Sequence, residues 1–128
     1  MPTDPVISVI DDDTSIRVAI DSLLRARSYI VYTFASATEF LQSPHIDETE
    51  CVITDVRMPN MSGVELQTAI RNEGRSVPFI FITAFPEESA RIQALHDGAV
   101  CFLSKPFDAP TLIRWVEAAL ALRDANRR

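Results

Sequence analysis

Residues 52–63 read VITDVRMPNMSG. Val52, Ile53 and Thr54 are apolar or β-branched and lead straight into Asp55, after which Pro59 and Gly63 mark a turn. An unpaired charge inside a core is costly, so a carboxylate that closes such a run belongs where a strand emerges from the protein. What Asp55 faces on emerging is the question on which the rest of the sequence bears.

Working outward from this stretch, the pattern alternates. Val6–Ile10 is a short apolar run, and Ile16, Ala19, Ile20, Leu23 and Leu24 follow at helical spacing. Ile30–Phe34 reads as a strand, and Ser36 with Glu39 as a capping box opening a short helix that Pro44 ends. The run CVIT at Cys51–Thr54 is a third strand. Ser62 with Glu65 repeats the capping-box pattern, with Leu66, Ala69 and Ile70 as the buried stripe. FIFIT at Phe79–Thr83 is a fourth strand, a helix covers Glu87–His96 before Gly98, and VCFL at Val100–Leu103 is a fifth strand. Leu112, Ile113, Val116, Ala119 and Leu120 mark a last helix opened near Asp108 and Pro110. The strand runs are continuously apolar, which predicts cover on both faces. Strands alternating with helices therefore predict an α/β fold with a parallel sheet between helical layers.

The 128 residues suffice for one domain, assigned to 1–128, with 47% apolar and 23% charged residues in an ordinary globular balance. The net charge of -6 argues against a phosphate-binding basic face, so direct nucleic-acid binding by this segment is not expected. The start, MPTDPVISV, lacks the basic region and apolar core of a secretory signal, and no run approaches the ~18 residues of a membrane span. A cytoplasmic location with no membrane contact is the expectation. The closing RDANRR suits either a linker or a terminus. Cys51 and Cys101 sit in apolar strand runs and read as small core residues. His45 and His96 have no partner in the pattern and read as solvated.

The polar residues gather where strands end. Asp11, Asp12 and Asp13 follow the first strand, Asp55 ends the third, Thr83 ends the fourth, and Ser104, Lys105 and Pro106 follow the fifth. In an open parallel sheet these ends share one edge, where ligands bind near the switch in strand order. Taken singly, the aspartates could cap a helix, Thr83 could be an ordinary strand end and Lys105 a surface lysine. Taken together, three carboxylates repel. A pair about 4 Å apart costs about 4 kcal/mol at an effective dielectric near 20. A hard divalent cation with oxygen ligands, Mg²⁺, offsets that. A lysine and a hydroxyl beside it suit the oxygens of a phosphoryl group, with Asp55 as nucleophile.

VIDDD, TDVRMPNMSG, FITA and FLSKPF, at this spacing, resemble the receiver domain of two-component response regulators over essentially the whole chain. The wording TDVRMP and FLSKPF is most similar to FixJ-type receivers. The resemblance implies a flavodoxin-like, CheY-like doubly wound sheet in strand order 2-1-3-4-5 with five helices. It implies a phosphorylation-dependent switch rather than an enzyme, in which Asp55 takes a phosphoryl group from a sensor histidine kinase. Asp12 and Asp55 would hold Mg²⁺ with the backbone carbonyl of Arg57, and Asp11 would act largely through water. Lys105 would contact the phosphoryl group, Thr83 would turn its hydroxyl toward it, and Phe102 would be the coupled aromatic switch. Lys105–Pro106 would be cis. Arg57, Ala84 and Phe85 would occupy positions that tune dephosphorylation. An output domain binding DNA, C-terminal to this segment, and control of transcription are also implied.

On that strand order Cys51 and Cys101 lie on strands separated by another, too far apart for a disulfide, so both are expected free. Trp115 and Leu122, seven residues apart on the last helix, form a second apolar pair off the main stripe. They suggest an interface, through which the phosphorylated domain would form a homodimer, or bind its output domain, on the face of the fourth helix, fifth strand and fifth helix. Two rivals stand beside this reading. VISVIDDDTS also nearly matches the strand-end motif of haloacid-dehalogenase phosphatases, with Asp11 as nucleophile and Asp13 as acid. A receiver used only as a non-phosphorylated interaction module is the other.

Overall fold

The computed structural model describes residues 4–126, so Arg127 and Arg128 of the polar C-terminal stretch lie outside the described residues. In chain order the elements are β1 (Val6–Ile10), α1 (Thr14–Arg25), β2 (Ile30–Phe34), α2 (Ala37–Leu41), a 3₁₀ turn at Ile46–Glu48, β3 (Cys51–Asp55), α3 (Gly63–Asn72), β4 (Phe79–Thr83), α4 (Glu88–His96), β5 (Cys101–Ser104) and α5 (Ala109–Asn126). The five strands form one parallel sheet in the order β2-β1-β3-β4-β5, the flavodoxin-like order expected. Parallel neighbours need crossovers, and the helices supply them on both faces.

Two apolar layers result. One face of the sheet carries Ile7, Val9, Ile53, Ile80 and Ile82 against Ile20, Leu24, Leu112 and Val116 of α1 and α5. The other carries Ile10, Val52, Phe79 and Phe81 against Phe40, Leu66, Ile70 and Ala94 of α2, α3 and α4. β3 and β4 are buried along their whole length, as their unbroken apolar runs require. β2 departs from that expectation. As an edge strand it has neighbours on one side only, and its burial is uneven, with Ile30 exposed.

Local signals set most boundaries. Ser62 and Glu65 form a complete capping box on α3. At α2 the box is incomplete: Ser36 accepts from the Glu39 N–H, but the Glu39 carboxylate reaches past it to the N–H of Ala35. Leu41 already ends that helix, before Pro44. Gly98, with φ of 98°, takes the left-handed turn after α4 that a side chain would resist. Ala19 is exposed on α1, and on α3 Gln67, not Ala69, completes the buried stripe. Cys51 and Cys101 are buried free thiols, and burial pushes both up to about 12.

His45 is not simply solvated. Its ring stacks on Tyr32 at 3.8 Å between centroids, and Nδ1 lies 2.7 Å from the Glu48 carboxylate. The 3₁₀ turn folds Glu48 back toward it, and β2 brings Tyr32 in from a distant stretch of sequence. His96 is exposed, as expected.

Candidate functional site

The C-terminal ends of β1, β3, β4 and β5 meet at one edge, because a parallel sheet points them the same way. Asp11 follows β1 and is fully buried, with its N–H bonded to the Phe34 carbonyl and its Oδ1 accepting from the Asp13 N–H at 2.9 Å. Burial raises its carboxyl above the usual range, against the lowering effect of the Asp13 N–H and the Lys105 ammonium. Asp12 is exposed at the mouth. Asp13 does separate work: its carboxylate caps α1 by accepting from the N–H groups of Ser15 and Ile16. The run of three aspartates thus divides into two that face the edge and one helix cap.

Asp55 closes β3 nearly buried, and the Arg57 N–H points to its Oδ1 at 3.3 Å. The loop beyond returns tightly, with the Gly63 N–H donating to the Val56 carbonyl at 2.8 Å. A Cβ on Gly63 would collide with the Asp55 carbonyl oxygen and stand 3.1 Å from Phe81 Cε1, so the glycine is required by close approach.

Lys105 enters from β5, its N–H bonded to the Thr83 carbonyl at 2.7 Å. Its Nζ donates to Asp11 Oδ2 at 2.9 Å and to Asp55 Oδ2 at 3.2 Å. Burial alone would lower this ammonium, but the two carboxylates outweigh burial and hold it above its ordinary value. Asp11, Asp12 and Asp55 each present an oxygen, all within 4.8 Å of one another. This all-oxygen set fits a hard divalent cation. Asp11, Asp12, Asp55 and Lys105 are therefore brought together as expected.

Thr83 is buried beside them, but its hydroxyl accepts from the Phe85 N–H at 3.0 Å, turned toward its own loop. Phe102 is half-buried on β5, its ring 6.1 Å from that of Phe81, and Phe79 continues the aromatic row at 5.7 Å. The Lys105–Pro106 bond is cis.

On α5, Trp115 (38% exposed) and Leu122 (49% exposed) both reach the surface. They do not share a hollow. Trp115 lines a shallow one with Thr111, Arg114 and Ala118, whereas Leu122 borders a cleft of about 350 Å³ with Ser76, Pro78, Val100 and Arg123.

Several contacts at this edge have no simple signature in the sequence. Arg17 donates to the Asp11 carbonyl at 2.6 Å. Arg57 pairs with Glu87 and lies over the Phe85 ring, 5.3 Å from its centroid. On α4, Ile92 and Leu95 are exposed.

Known proteins share this sequence pattern and fold. The family profile of the response regulator receiver domain matches residues 7–117. Nodulation protein W of Bradyrhizobium diazoefficiens is 40% identical over 126 residues, covering 98% of this chain and 55% of its own. The solved structure of the response regulator StyR superposes with a TM-score of 0.90 at 36% identity, over 98% of this chain and 63% of that one. That of FixJ-N gives 0.83 at 30%, over 94% and 96%. The chain belongs to the response regulator receiver domain family, with FixJ among its relatives. It spans about half the length of curated relatives such as Nodulation protein W and TodT. This membership leaves the phosphatase reading of Asp11 and Asp13 without support, and Asp13 is already engaged as a helix cap.

Proposed function

We propose that Asp55 accepts a phosphoryl group from a phosphohistidine of a sensor histidine kinase, making the domain a phosphorylation-dependent switch and not an enzyme acting on an external substrate. The observation that carries this is the Lys105 ammonium bridging Asp11 and Asp55 beside an all-oxygen carboxylate set. An Asp55 carboxylate oxygen attacks phosphorus, the bond from phosphorus to the imidazole nitrogen breaks, and the released imidazole takes up a proton. Asp12, Asp55 and the Arg57 carbonyl would hold Mg²⁺, with Asp11 acting through water; the ion supplies charge neutralisation for the phosphoryl oxygens. Lys105 binds and orients one of those oxygens. Thr83 turns its hydroxyl from the Phe85 N–H to another, and Phe102 follows.

The domain is read as occupying 1–128 of a cytoplasmic regulator, with a DNA-binding output domain following it. Relatives named as transcriptional regulatory proteins, including TdiR of Thauera aromatica and FixJ of Azorhizobium caulinodans, support control of transcription as the output. No helix among the described residues is long and apolar enough to cross a membrane. Phosphorylation would alter the face formed by α4, β5 and α5 and promote a homodimer there. The test is incubation with acetyl phosphate and Mg²⁺ followed by intact mass measurement. One hydroxylamine-sensitive phosphoryl group is expected in the wild type and none in Asp55→Asn. Undiminished labelling of that variant would overturn the assignment.

A further inference from the structure

α4 is held unlike its neighbours. It buries one side chain, Ala94, and leaves Ile92 and Leu95 exposed. Glu87, at its N-cap position, makes no capping hydrogen bond. Its carboxylate pairs instead with Arg57, whose guanidinium also lies over the exposed Phe85 ring. Arg57 is two residues beyond Asp55, and its N–H already points to the Asp55 carboxylate. The far end of α4 is fixed differently. The buried Gln67 of α3 donates from Nε2 to the carbonyls of Ala94 (3.3 Å) and Asp97 (3.4 Å). Arg71 pairs with Asp97 at 3.1 Å. One end of the helix is thus gripped from a neighbouring helix by a buried amide, and the other by an exposed ion pair reaching out of the phosphoacceptor loop.

We infer that Arg57 is a releasable tether, which frees the N-terminal end of α4 when Asp55 is phosphorylated and lets the helix pivot about the Gln67 clasp. The inference rests on the phosphoacceptor reading of Asp55. A phosphorylated Asp55 offers about two negative charges and several strong acceptor oxygens beside Arg57, against the single charge of Glu87. Leaving Glu87 strands nothing, because both partners are exposed to water and a free carboxylate at a helix N-terminus is favoured by the dipole. Loss of the guanidinium also uncovers the face of the Phe85 ring that it lies over, enlarging the apolar surface beside the N-terminal end of α4.

Amide hydrogen exchange along α4 tests this in the full chain, with intact mass read on the same samples. The Arg91 N–H bonds to the Glu87 carbonyl and the Asp97 N–H to the Gln93 carbonyl, so the two ends report separately. In unmodified Glu87→Gln, Arg91 and Ile92 should exchange roughly two- to fivefold faster, the range that loss of an exposed ion pair supports, with Asp97 unchanged. The charge-swapped pair Arg57→Glu with Glu87→Arg should restore the slow rates. Phosphorylation of the wild type should give the same change as Glu87→Gln, and phosphorylated Glu87→Gln no more. Wild-type rates at Arg91 and Ile92 in unmodified Glu87→Gln would overturn the tether. A wild type that carries the phosphoryl group with α4 unaltered would overturn its release and leave the Asp55 assignment standing. A wild type that takes no phosphoryl group would overturn that assignment, and the trigger with it.

Discussion

The Lys105 ammonium lies 3.2 Å from Asp55 Oδ2 across 50 residues of sequence, occupying the side of the carboxylate that faces Asp11. It therefore competes with any cation for the negative charge of the same two carboxylates. Lys105→Met should bind Mg²⁺ about tenfold more tightly, equal to about 1.4 kcal/mol. Without added cation it should lose about 1–3 kcal/mol of unfolding free energy, since Asp11 is left buried without its partner. Calorimetric Mg²⁺ titration and urea unfolding with and without Mg²⁺ check both. Equal Mg²⁺ affinity in the two proteins would contradict the competition.

Gly63→Ala should strain the loop after β3. The added methyl meets the Asp55 carbonyl and the Phe81 ring, and neither can retreat from a packed sheet. A loss of about 1–3 kcal/mol is expected, together with slower acetyl phosphate labelling. Urea denaturation and the labelling time course measure these. Full stability with full labelling would show that the loop yields more easily than its contacts require.

Alkali should destabilise the domain through its thiols. Cys51 and Cys101 are raised from an ordinary value of 9.0 to about 12 by burial, with a smaller contribution to Cys51 from Cys101. Between those values the unfolded thiols are ionised while the folded ones keep their protons. The native state then binds more protons, and stability falls as pH rises, by up to about 1.4 kcal/mol per unit for each thiol. Tyr29 and Lys105, both raised, act in the same direction. Urea midpoints from pH 8 upward should fall less steeply in the Cys51→Ala, Cys101→Ala double variant. Identical slopes would refute the thiol origin.

Trp115 is expected to anchor a phosphorylation-dependent dimer. Sedimentation with beryllofluoride should show a dimer in the wild type and, in Trp115→Ala, a dimer about tenfold weaker. A monomeric wild type carrying the mimic would remove the dimer, and an equally tight Trp115→Ala dimer would move it elsewhere. Leu122 borders a different cleft, so Leu122→Ala separates the two halves of the pair.

Much of this architecture was legible because it is local. Alternating apolar runs placed all five strands, the strand-end residues placed Asp11, Asp55 and Lys105 at one edge, and Ser62 with Glu65 placed the start of α3. Residues whose role depends on distant partners were opaque. Gln67 is a polar residue on a helix, and only the docking of α4 makes it a buried clasp. His45 has its stacking partner on β2, and the third aspartate, Asp13, could be told from the first two only by where α1 begins. The tether from Arg57 to Glu87 joins two loops that no short-range pattern connects.

The loop after β3 is fastened at both ends, by the Gly63 N–H on the Val56 carbonyl and by the capping box at Ser62 and Glu65. Between these fixings Pro59 and Asn60 stand exposed. Pro59 can therefore vary without moving the carboxylate that closes β3, whereas Asn60, with φ of 73°, holds a left-handed turn that few side chains other than asparagine accept.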